Sequence, residues 1–129
     1  MNFMTEQEIF NHVLDHIVEQ GQPARDSEES CMYLTASGLK CAVGCLIKPQ
    51  YYNPIFEGET VSVAFVISPE KCELLAALKL SGVDAENKSV NNLLSKIQTA
   101  HDTSSYHNFV EEFKESMRDI AEESGLEME

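Results

Sequence analysis

Four cysteines, Cys31, Cys41, Cys45 and Cys72, are the residues best equipped for chemistry in this sequence. Thiolates hold zinc when two close Cys or His pairs face each other across a loop. Only Cys41-x3-Cys45 has the spacing of such a pair, and Ala42, Val43, Leu46 and Ile47 around it have the composition of a core. Free cysteine is among the most buried residue types, so structural burial is the expectation, with no metal and no cofactor. A metal or thiol enzyme using Cys41, Cys45 and His101 is the chemical alternative.

The histidines form two patterns. His12 and His16 lie four apart, the spacing of a metal-binding helix face. Both fall to the side of the apolar stripe centred on Val13 and Ile17, and only Asp15 adjoins them, so they read as solvated. His101 shares a helical face with Val90, Leu93 and Ile97 and is followed directly by Asp102. That pair reads either as a core imidazole with its hydrogen bonds satisfied or as a ligand-facing imidazole oriented by a carboxylate. No Gly-x-Ser-x-Gly, Ser-x-x-Lys, His-Glu-x-x-His or Gly-rich phosphate loop occurs. No catalytic residue is assigned, and an enzyme is the minority reading.

These side chains must be positioned by secondary structure. Thr5 and Glu8 have capping-box spacing, and Ile9, Phe10, Val13, Leu14 and Ile17 follow at helical period, predicting a helix over residues 5–20. Residues 31–35 and 39–43 have strand composition around Ala36-Ser37-Gly38, predicting a short hairpin, although Gly44 to Ile47 also suits a helical turn. The stretch 60–67 reads as a strand or a short buried helix. Ser68-Pro69-Glu70 opens a helix carrying Leu74, Leu75 and Leu78. Ser89 is placed as the cap of a third helix with Val90, Leu93, Leu94 and Ile97 inward. Tyr106, Phe109, Val110, Phe113, Met117 and Ile120 fall within ~100° of arc and predict a last helix over 105–124. Four helices, one hairpin and an irregular centre make an α+β class, mostly helical, in a single compact domain.

The 129 residues suit one domain, and 43% apolar content is enough for a core. No apolar run approaches the roughly 20 residues that span a bilayer, and the first residues lack the charged and apolar regions of a signal peptide. A cytoplasmic protein without disulfides is expected. The formal charge is −13, distributed unevenly. Residues 1–30 hold seven acids and one base, and residues 105–129 hold eight acids and two bases. Residues 31–104 hold seven acids and six lysines, so two acidic terminal helices frame a near-neutral centre. Such acidity disfavours nucleic acid and anionic membranes as partners. On the last helix Glu111, Glu112, Glu115, Asp119, Glu122 and Glu123 share a sector of ~120° opposite the apolar stripe. That sector is a solvated face or a docking surface for a basic protein.

The segment Gly38-Leu39-Lys40-Cys41-Ala42-Val43-Gly44-Cys45-Leu46-Ile47, with Tyr52, Pro54, Glu57-Gly58 and Gln98-Thr99-Ala100-His101-Asp102, resembles a group of small accessory proteins of tailed phages and prophage-bearing bacteria. The resemblance spans about residues 31–102 and implies a phage or mobile-element protein made in the bacterial cytoplasm. It supplies a setting rather than a mechanism. The expected function is non-enzymatic: binding and modulating a basic host protein through the acidic helices. The alternative is a small-ligand binder for a nucleotide-like signal, with Tyr33, Lys40, Tyr51, Tyr52, His101 and Asp102 lining a pocket in the neutral centre.

Overall fold

A computed structural model describes residues 3–25, 31–63 and 68–128. Four helices carry the fold: α1 (Glu6–Gln20), α2 (Pro69–Leu80), α3 (Lys88–Thr103) and α4 (Phe109–Ser124). Between α1 and α2 lie three single 3-10 turns, Gly44–Leu46, Pro49–Tyr51 and Pro54–Phe56. The part of the 60–67 prediction at residues 64–67 falls outside the described residues.

Helix starts follow from local chemistry. The Thr5 hydroxyl accepts from the Glu8 N–H at 3.1 Å, and the Glu8 carboxylate accepts from the Thr5 N–H at 2.9 Å, completing the capping box. Ser68 caps α2 through the Lys71 N–H at 3.1 Å, with Pro69 in the first helical position. The cap of α3 is Asn87, not Ser89; its side chain accepts from the Val90 N–H, while the Ser89 hydroxyl donates to Glu6. The last helix begins at Phe109 rather than at 105, and Tyr106 lies outside it, 56% exposed. Residues 104–108 turn the chain so that α4 packs back on α3, and Glu112 reaches across this turn to the Ser105 N–H and hydroxyl.

One core joins the elements. α4 packs against both α3 and α1, the 44–46 turn packs on α1, and the 54–56 turn packs on α2. Phe10, Phe56, Phe113, Leu74, Leu78, Leu94, Ile97 and Met117 are fully buried between them. Each such side chain contributes on the order of 2 kcal/mol by leaving water.

The expected hairpin is not formed, which corrects the class to all-α. Among the described residues there is no strand, and the 31–43 stretch contributes only single antiparallel bridges, Arg25 to Cys31 and Leu34 to Lys40. The physical reason lies in where the extended backbone finds its hydrogen bonds. Gln20 of α1 faces Lys40 as a strand would: its carbonyl oxygen accepts from the Lys40 N–H at 2.9 Å and its amide donates to the Lys40 carbonyl at 2.9 Å. The Glu57 carboxylate accepts from the N–H groups of Tyr33 and Leu34 at 2.9 and 3.2 Å. Gln98 of α3 accepts from the Val43 N–H at 3.0 Å. Side chains supply the partners a second strand would have supplied, so strand-like composition does not require a sheet.

Candidate functional site

A cavity of about 320 Å³ opens between α3 and the chain on either side of the central turns. Ser95, Gln98, Thr99 and Asp102 form its helical wall. Residues 31–33 and 58–62, with Cys41, complete the described lining. Two buried polar side chains fix the 60–63 stretch. Asn91 accepts from the Val63 N–H at 3.1 Å and donates to the carbonyls of Val61 and Ala85 at 2.8 and 2.9 Å. The Lys71 ammonium donates to the Thr60 hydroxyl at 3.2 Å and the Ser62 carbonyl at 2.6 Å.

Tyr33 is fixed just as firmly. Its ring meets Phe56 edge-on at 5.9 Å, and its hydroxyl donates to the Glu59 carbonyl. Gly44 presses against its backbone: a β-carbon on Gly44 would lie 2.0 Å from the Tyr33 carbonyl oxygen. The small residue in the Cys-Ala-Val-Gly-Cys run therefore admits a neighbouring backbone, one belonging to neither a helix nor a ligand.

At the cavity edge three reactive residue types converge. Ligand atoms of Cys31, His101 and Asp102 lie within 4.8 Å of one another. His101 is completely buried, with its ring edge-on to Phe109 at 5.4 Å. Its Nε2 accepts from the Ala24 N–H at 3.2 Å, so the ring proton sits on Nδ1 and is donated to Asp102 Oδ1 at 2.9 Å. The same oxygen accepts from the Gln98 amide at 2.8 Å. Burial raises the Asp102 pKa, but hydrogen bonds from His101, Cys31 and Gln98 outweigh it and hold the carboxyl below its ordinary value. This tautomer is the wrong one for a metal at Nδ1. Ligation there would move the proton to Nε2, where it would meet the Ala24 N–H donor to donor.

The thiols are not poised as nucleophiles. Burial, then the hydrogen bond and charge of Asp102, push the Cys31 thiol up, against a smaller opposing effect of Arg25. Burial pushes Cys41 up strongly and Cys45 up to about 12. Cys41 Sγ accepts from the Gly44 N–H at 3.2 Å, and the Cys45 thiol donates to the Ala42 carbonyl at 3.1 Å. Both act in the local turn, and it is Cys31, not Cys41 or Cys45, that stands beside His101.

The six residues considered for ligand binding are thus divided. Tyr33 and Asp102 line the cavity, and His101 supports Asp102 from behind. Lys40 lies elsewhere, with its backbone paired to Gln20. Tyr52 donates to Glu57 at 2.5 Å and packs on Phe56, while Tyr51 ends the 49–51 turn half-buried. Neither tyrosine lines the cavity. Sequence reading missed the positioning roles of Glu57 and Asn91. Their signal was weak: one carboxylate in an irregular segment and one asparagine on an otherwise apolar helical face. No basic side chain lines the cavity among the described residues, so a phosphate would find no counter-charge there.

The acidic sector is a surface feature. Glu111, Glu115, Asp119, Glu122 and Glu123 are exposed, whereas Glu112 is half-buried and bound to Ser105. Glu123 pairs with Lys96 at 3.2 Å. The sides of α1 and α4 meet, and the chain beyond α4 is clasped to α1. The Glu127 N–H donates to Gln7 at 2.8 Å, and the Gln7 amide donates to the Glu127 carbonyl at 2.9 Å. Among the described residues no helix is long and apolar enough to cross a membrane.

Comparison with known proteins finds no matching family model, no matching curated protein and no matching solved structure.

Proposed function

We propose that this chain is a non-enzymatic accessory protein of phage or mobile-element type that acts in the bacterial cytoplasm. It binds and modulates a basic host protein through its acidic helical surfaces. The observation that supports this reading is the packing of α1 against α4. α1 and α4 together carry ten of the 22 acids, and the fold packs these two helices against each other. Neighbouring like charges oppose folding by mutual repulsion, so gathering them is costly unless a partner of opposite charge neutralises them. Lys96 is the single base ion-paired to the α4 acids among the described residues; Glu111, Glu115, Asp119 and Glu122 are exposed, while Glu112 is engaged by Ser105. Such a surface speeds encounter and selects by charge more than it adds affinity.

The test combines charge reversal with salt. Wild-type protein should retain a basic host protein at low ionic strength and release it as salt rises. The triple variant Glu111→Lys, Glu115→Lys, Asp119→Lys should fail to retain it while keeping its helical circular dichroism. A folded triple variant with undiminished biological effect would exclude the acidic face as the docking surface.

A further inference from the structure

We infer that the cavity beside Asp102 is a binding site for a donor-rich cationic head group, an ammonium or guanidinium carried on a short apolar stem. The inference comes from where the hydrogens of the cavity wall already go. The Ser95 and Thr99 hydroxyls donate back to carbonyls of their own helix, those of Asn91 at 3.0 Å and Ser95 at 2.9 Å. The Tyr33 hydroxyl donates to the Glu59 carbonyl. What Ser95 and Thr99 still offer is oxygen lone pairs. Thr60 and Gln98 each keep one donor: a hydroxyl hydrogen, and the amide hydrogen that Gln98 does not give to Asp102.

Among the described residues two carboxylates complete the acceptor surface. Asp102 has a 40% exposed side chain and accepts from His101, Gln98 and Cys31, which hold it in place and leave part of its carboxylate toward the cavity. Glu59 accepts from the Ser68 hydroxyl through one oxygen at 2.9 Å, leaving the other. Two cations stand near the cavity, and Arg25 also reaches the Cys31 thiol at its edge. Arg25 donates to the Ser104 carbonyl at 3.0 Å, and Lys71 donates to Thr60 and Ser62 from behind the wall. Neither lines the cavity. An acceptor-rich wall is complemented by a ligand rich in donors, and a charged donor bonds to a carboxylate about twice as strongly as a neutral one. Met32, Tyr33 and Val61 supply apolar wall for the stem. At about 320 Å³ the cavity is at the small end of ligand pockets, which run roughly 300–1,000 Å³.

Two sources carry this chemistry: a free amine, and a Lys or Arg side chain of a partner. The experiment uses the full chain and two probes, agmatine and N-acetyl-arginine methylamide, followed by amide chemical shifts. Butanol and butyrate are the neutral and anionic controls. The expected result is saturable shifts at Gln98, Thr99 and Asp102 with at least one cationic probe and with neither control. Response to agmatine assigns a free amine, and response to the blocked arginine alone assigns a side chain. Asp102→Asn keeps the acceptor toward His101 and Gln98 but turns a donor into the cavity. It should weaken binding by roughly 10- to 100-fold. Thr99→Val, at an exposed position, should weaken it several-fold and decides the matter if the first variant fails to fold. The inference is overturned if neither cation saturates below about 10 mM, if butyrate binds as well as the cations, or if the folded variants bind like wild type. The charge-reversed α4 protein should bind the probe normally, so failure here is distinguishable from failure of the acidic-face proposal.

Discussion

Gly44→Ala should unfold this protein far more readily than any other glycine-to-alanine change. The added β-carbon would stand 2.0 Å from the Tyr33 carbonyl oxygen, 2.8 Å from its carbonyl carbon and 3.0 Å from its α-carbon. Ordinary carbon–oxygen contacts begin near 3.3 Å, so the overlap exceeds about 1 Å and all three atoms are backbone. No rotamer change relieves it. Either the Tyr33 strand of chain withdraws from Glu57 and Phe56, or the 44–46 turn gives up its Gly44–Cys41 and Ile47–Gly44 hydrogen bonds. Overpacking costs about 1–3 kcal/mol and each lost hydrogen bond about 1 kcal/mol. The reduced freedom of the unfolded chain offsets at most about 1 kcal/mol. A net loss of about 3 kcal/mol results. With an unfolding entropy of about 2.1 cal/mol/K per residue, a chain of 129 residues loses roughly 11 °C in melting temperature.

Gly38→Ala supplies the contrast. Gly38 has φ +92° but nothing within 4 Å of its would-be β-carbon, so only backbone strain of about 1–2 kcal/mol applies. Thermal melts followed by circular dichroism separate the two. If Gly44→Ala loses no more than Gly38→Ala, the close approach of the two backbones is not what requires glycine at 44.

Three further outcomes follow from the same contacts. Asn91→Ala removes one buried side chain that serves three backbone groups and should cost about 2–4 kcal/mol in urea unfolding; a loss under about 1 kcal/mol would show that the 61–63 stretch is held by other means. Because the Asp102 carboxyl is held below its ordinary 3.8, the folded chain binds fewer protons than the unfolded one, so its contribution is complete above about pH 4 and disappears as pH falls through the lowered value. The melting-temperature gap between wild type and Asp102→Asn should therefore narrow on acidification, and a gap unchanged down to about pH 2.5 contradicts the assignment. Near pH 8 a disulfide reagent should find one fast thiol, the exposed Cys72, with half-buried Cys45 slowed by its raised pKa and buried Cys41 reacting only on unfolding; a fast Cys41 thiol counts against its burial.

Helix existence was legible wherever local chemistry is self-contained. Thr5 with Glu8, and Ser68 with Pro69, place their own N-termini because cap and first turn are neighbours in sequence. The start of α4 was not legible. Tyr106 lies on the extrapolated apolar stripe, but periodicity cannot tell that residues 104–108 are needed to reverse the chain onto α3. At the candidate site, the His101–Asp102 pair was visible as a pattern. The decisive fact, that the Ala24 N–H 77 positions away fixes the imidazole tautomer, was not.

The missing hairpin and the quiet centre have one cause. Between its turns the 31–63 segment has extended stretches, and long polar side chains supply their hydrogen bonds: Gln20, Glu57, Asn91 and Gln98 each serve a backbone N–H. A strand partner has to arrive as a whole element in register, whereas a carboxamide satisfies one peptide at a time and can approach from a helix. The irregular path between Cys31 and Val63 therefore needs no sheet, and it leaves a cavity against α3 that a continuous strand would have closed. The near-neutral balance of the centre hides the same division of labour. Glu57 is consumed by backbone and Tyr52, while Asp102 and Glu59 keep acceptor capacity beside the cavity. A centre neutral by count thus holds charge that is locally unbalanced, and Asp102→Asn is the substitution that separates its binding role from its packing role.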